Sequence, residues 1–159
     1  IRYNGIFDFD RFYALVVDWA KTYNYLWLEK KHVHKVVRGS VEQEISWQAT
    51  REATEYIRLV VDIAIRMWDL QEVEIDVAGR KRPLSNARIE IKIGGKVDYD
   101  WQGFAEKNPK KIMRWLGKIY PPKTEVTDEY FIQLYSQLIN LHSLTKRYFD
   151  MQSKKNPFG

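Results

Sequence analysis

Between Tyr56 and Met67 the apolar residues Ile57, Leu59, Val61, Ile63, Ile65 and Met67 recur at every second position. That is the period of a β-strand with one buried face. The predicted strand, roughly Glu55 to Trp68, would reach about 45 Å at about 3.3 Å per residue. A strand of that length needs a bend or a bulge. Upstream, Arg2 to Phe7 predicts a short strand, and Asp8 or Asp10 can cap a following helix. Phe12, Leu15, Val16, Trp19 and Tyr23 fall on one face of that helix, which Asn24 ends. Period two returns from Tyr25 to Val37, Gly39-Ser40 signals a turn, and Val41 to Ala49 alternates with Ile45, Trp47 and Ala49 on one face. Downstream, Val73, Ile75 and Val77 predict a separate strand. Gly79-Arg80-Lys81-Arg82-Pro83 reads as a basic turn, and Ile89, Ile91 and Ile93 as the returning strand. Gly94-Gly95 is a tight-turn dipeptide that would close a hairpin with Val97, Tyr99 and Trp101.

The last third is helical in pattern. Asn108-Pro109 reads as a cap with proline at the first helical position, Ile112, Trp115, Leu116 and Ile119 share a face, and Pro121-Pro122 stops the helix. Thr127 then caps a longer helix, with Asp128 and Glu129 in its first turn and Lys146 and Arg147 near its end at about Asp150. Phe131, Tyr135, Leu138, Leu141, Thr145 and Phe149 are its expected buried stripe, and 151–159 a loose tail. The expectation is one α+β domain over 1–150. It would have a curved, mostly antiparallel sheet of about six to seven strands, covered on one face by the N-terminal and the long C-terminal helix.

This order of elements resembles the helix-grip arrangement of the START and Bet v 1-like superfamily, in which a curved antiparallel sheet wraps a long C-terminal helix. The resemblance is topological, and the helix at 109–120 departs from the simplest form of that fold. It implies a sheet–helix cavity for a small hydrophobic ligand. The stretches YNGIFDFD (residues 3–10) and LHSLTKRYFDM (141–151) resemble uncharacterised proteins of small-genome archaea, which implies no function.

Composition narrows the chemistry. At 159 residues with 45% hydrophobic and 30% charged residues, the chain suits a single globular domain. Without cysteine it has no disulfide, thiolate nucleophile or cysteine zinc site. Charges in the first twenty residues argue against a signal peptide, and no apolar run is long enough to span a membrane, so a cytoplasmic protein is expected. Phosphate-loop, Rossmann and nucleophile-elbow spacings are missing, and no cofactor is expected.

His32 and His34, at i and i+2 on a predicted strand, are the weak metal candidates; Lys30, Lys31 and Lys35 around them would repel a cation. Glu72, Glu74 and Asp76 share a strand face, where cross-strand partners such as Arg88 and Lys92 would neutralise them. The basic residues Arg80, Lys81, Arg82, Lys110, Lys111 and Arg114 are the candidate binding surface, with Trp101, Phe104 and Trp115 interleaved. The first expectation is a non-enzymatic binding or assembly module contacting another macromolecule, a protein partner or a second copy of itself. The alternatives are a helix-grip binder of a small hydrophobic ligand and a nucleic-acid binder using the turn at 80–82 and the helix at 109–120.

Overall fold

The computed structural model describes residues 1–103 and 123–155, with side chains except those of 77 and 123–127. The elements are β1 (Arg2–Phe7), α1 (Phe9–Thr22), β2 (Leu26–Val37), β3 (Ser40–Glu52), β4 (Ile57–Val77), β5 (Arg80–Tyr99) and α2 (Lys123–Lys155). The strands form one five-stranded sheet in the order β1-β5-β4-β3-β2. Every pairing is antiparallel. The fold is therefore α+β, as the pattern predicts. The described residues contain five strands, fewer than the expected six or seven, because two predicted breaks are absent.

The first missing break lies at 69–72. The alternation of Ile57–Met67 and that of Val73–Val77 belong to one strand, interrupted by a bulge between Trp68 and Gln71. Asp69 takes a positive φ of 55° there, and its carboxylate accepts a hydrogen bond from the Ser40 hydroxyl at 2.7 Å. The second lies at Gly94-Gly95. No turn forms; both glycines stay in β5, opposite Asp62 and Val61. The real β4–β5 turn is Ala78-Gly79, with φ of 54° and 78°, and Arg80 already starts β5. Arg38-Gly39 makes the equivalent turn between β2 and β3, with φ of 50° and 80°. Two consecutive positive φ values suit the right-handed twist of hairpin strands.

Both helices cover one face of the sheet. Asp8 caps α1 by accepting from the Arg11 backbone N–H at 3.1 Å. Because β1 and β2 are the two edge strands, α1 carries the chain from one edge to the other. The side chains of Ile57, Leu59, Val61, Ile63, Ile65 and Met67 are buried beneath the helices, as their spacing predicts. They meet Phe12, Val16 and Trp19 of α1 and Leu134, Leu141 and Phe149 of α2 in one cluster. Phe149 bridges the layers, its ring 5.6 Å from Phe7 and 5.3 Å from Phe12.

The opposite face carries polar pairs. Arg58 reaches Asp98 at 2.7 Å, Gln48 donates to Asp62 at 2.7 Å, and Glu44 receives both Lys31 and Arg66. The Lys31 ammonium, followed by the charge of Arg66, holds the Glu44 carboxyl below its ordinary range. Arg2 does the same to Glu90. Among the described residues this face is mostly polar, with Val60 buried on it.

Three expectations for the C-terminal helix change. It starts at Lys123, so Thr127 is inside it and does not cap it. It runs to Lys155, so 151–155 are helical where a loose tail is expected, and its last turn carries Lys154 and Lys155. Among its described side chains Leu134, Gln137, Leu141, Thr145, Tyr148 and Phe149 are buried; Phe131 and Tyr135 lie outside. The helix predicted at 109–120 lies outside the described residues.

Candidate functional site

The basic triplet is divided by the strand it belongs to. Because β5 alternates, Arg82 stands opposite Ile75 on one face, while Lys81 stands opposite Asp76 on the other. Lys81 also lies 3.9 Å from Glu74. The parity of β4 relative to the core reverses at its bulge, so Glu72, Glu74 and Asp76 point to the helix side of the sheet and Val73 and Ile75 to the wet side. From Val73↔Leu84 to Val77↔Arg80 no third strand among the described residues flanks the pair, which extends past the rest of the sheet as a two-stranded ribbon. Arg80, Lys81 and Arg82 are all exposed at its end, balanced in number by the three carboxylates. Arg88 pairs with Asp69 and Lys92 with Glu90, so neither meets those carboxylates. Lys110, Lys111 and Arg114 lie outside the described residues.

His32 and His34 do share a parity on β2, both exposed. His34 Nδ1 is 3.0 Å from Gln43 Nε2. Among the described residues no group of three or more His, Cys, Asp or Glu side chains converges to hold a metal.

The surface that departs most from solvent chemistry is on α2. Phe131, Ile132, Tyr135 and Ile139 are 60%, 64%, 58% and 48% exposed. The rings of Phe131 and Tyr135 stack, 6.4 Å apart and 8° from parallel. Ile132, Tyr135 and Ile139 follow a 3-4 spacing, so they form a stripe along one face of the helix. The amphipathic spacing of the helix is legible in the sequence, but it carries two apolar stripes, and periodicity does not say which one meets the sheet. The sheet makes that choice through Gly95. A Cβ there would sit 2.8 Å from Leu138 Cδ1 and 3.4 Å from Leu134 Cδ2, so the helix settles with those leucines over the bare glycine.

The sheet edges are poorer contact surfaces. β1 has six residues. β2 is longer and exposes Leu26, Leu28, Val36 and Val37, but it is bulged between Glu29 and Lys31 and carries Lys30, Lys31 and Lys35. Lysines and bulges are the usual guards against edge-to-edge pairing.

A groove of about 650 Å³ runs between α1 and α2. Leu15 and Leu144 give it apolar lining, and the exposed Arg11, Arg147 and Lys155 a cationic rim faced by the single carboxylate of Asp18. The helices run antiparallel along it. The Tyr148 hydroxyl donates to the Asp8 carbonyl at one end, and the Tyr25 hydroxyl donates to Gln137 at the other, at 2.6 Å.

Among the described residues no helix is long and apolar enough to cross a membrane. Comparison with protein-family models, curated proteins and solved structures returns no match.

Proposed function

We propose that the chain is a non-enzymatic binding or assembly module, and that the apolar stripe of α2 is its contact surface for another macromolecule. The observation that supports this is the exposure of Phe131, Ile132, Tyr135 and Ile139 on a helix whose other face is already buried. Burying a large apolar side chain is worth roughly 1.5–3 kcal/mol, so a partner covering the stripe gains several such increments. Native mass spectrometry of the protein from its own cells tests the reading. The expected result is a species heavier than the 19.1 kDa chain whose excess mass is protein, lost on changing Ile132 and Ile139 to Lys. A bare chain would overturn it, and copurifying nucleic acid would favour the basic ribbon instead.

A second reading has its own observation. The α1–α2 groove has the size of a small-molecule site and joins an apolar lining to a cationic rim. That suits an amphiphile with an anionic head, a relative of the ligand class that a helix-grip arrangement implies. A dodecanoate titration followed by tryptophan fluorescence, with Arg11→Ala as control, tests it. An unchanged spectrum at millimolar ligand would discard it.

A further inference from the structure

We infer that the partner of the α2 stripe is a second copy of this chain, packed helix against helix in antiparallel fashion about a two-fold axis at the level of Gln137. This rests on the contact role proposed for the stripe.

The argument is the order of residues along the stripe. Continued in both directions by the same 4-3 spacing, it reads Asp128, Ile132, Tyr135, Ile139, His142 and Lys146. All six are exposed. A 4-3 spacing is the seam of a helix that packs along its length against another helix at a shallow angle. The seam spans about 27 Å at 1.5 Å per residue.

The sequence of that seam is complementary to its own reverse. In an antiparallel pair centred on Gln137, residue i faces residue 274 − i. Tyr135 then meets Ile139 of the other copy, Ile132 meets His142, and Asp128 meets Lys146. The Tyr135–Ile139 and Ile132–His142 contacts each occur twice about the axis, and so does the ion pair, which is the isologous character a two-fold interface requires. A parallel pair would instead set Asp128 against Asp128 and Lys146 against Lys146. Gln137 itself is buried against Tyr25 on the far side of the helix, so the axis meets no buried polar group. Only a few apolar residues per copy line the seam, which places the interface at or below the roughly 1,200 Å² of weak assemblies. The dimer is therefore concentration-dependent.

Sedimentation equilibrium of the full chain, with circular dichroism as a folding control, decides the matter. The wild type should rise from 19.1 kDa toward twice that mass with concentration. Asp128→Lys and Lys146→Asp each place two like-charged pairs at the interface and should weaken dimerisation roughly tenfold or more. Mixing these two variants, or combining both changes in one chain, should restore it, because every pair is again of opposite sign. A wild type that stays monomeric on its own, yet carries a different protein lost with the Ile132 and Ile139 changes, overturns the self-association while leaving the contact role intact. Monomers without any partner overturn both. Dimers indifferent to the charge changes overturn the antiparallel register.

Discussion

A Cβ at Gly95 would lie 2.8 Å from Leu138 Cδ1 and 3.3 Å from the Val60 carbonyl oxygen. The leucine can swing aside, but the carbonyl belongs to the central strand and cannot. Gly95→Val should therefore destabilise by about 1–3 kcal/mol through overpacking, read as a lower urea midpoint at unchanged slope. The same position governs which stripe of α2 is left outside, so Val there should also perturb any self-association. Tyr148 offers a pH test. Burial, and then the nearby Asp8 carboxylate, raise its phenol above the ordinary value of 10.0. The folded state holds this proton more tightly than the unfolded state. The stabilisation is complete below pH 10 and is lost as pH rises from there through the folded value. Burial raises Tyr25 in the same direction. Absorbance titration near 295 nm should show these two phenols ionising only together with loss of the dichroism signal. Ionisation of all ten tyrosines at ordinary pH in a still-folded chain would contradict the assignment.

At the scale of elements, β4 is two things in one strand. Up to Met67 it is core: Val61 has no exposed surface and sits between Ala49 and Gly95. Val61→Asp should cost roughly 3 kcal/mol or more by burying a charge without a partner. Past the bulge it is ribbon, and replacing residues 73–84 by a two-residue turn should move the melting temperature by only a degree or two, because none of the described side chains of that span belongs to the buried core. Equal losses from both changes would refute this division. The contrast also marks how far the sequence is legible. The alternation of 57–67 is a direct record of which face is dry, and the Asp8 cap and the α1 face are equally plain. The bulge is hidden because odd-numbered residues stay apolar on both sides of it while the face they point to changes. Ala78 at positive φ gives no turn signal, whereas Gly94-Gly95 gives one that the chain uses for close helix approach. The basic triplet is visible in the sequence; its division between two faces is a consequence of the register and is not. The contact stripe is visible only as apolar spacing, since Phe131 and Tyr135 look like core until the sheet is in place.

At the scale of the whole molecule, the two leading surfaces differ in physics, and salt separates them. The chain carries a formal charge of +5. If the ribbon at 80–82 held nucleic acid, each neutralised phosphate would release counterion and affinity would fall steeply between 50 and 200 mM salt. The ribbon opposes that role with carboxylates on Glu72, Glu74 and Asp76, three against three cations. The α2 stripe is apolar at its centre and carries Asp128 and Lys146 at its ends, exposed groups whose two pairs contribute modestly and are partly screened. Association through it should change by no more than a few-fold over the same range, and sulfate should strengthen it by favouring apolar burial. Sedimentation and fluorescence anisotropy with single-stranded and duplex DNA and RNA, run on one preparation at both salt concentrations, read the two surfaces side by side. The expected outcome is self-association nearly indifferent to sodium chloride, with nucleic-acid binding weak at low salt and unaffected by changing Arg80 and Arg82 to Ala. A steep salt slope that those two changes flatten would transfer the function from the helix to the ribbon.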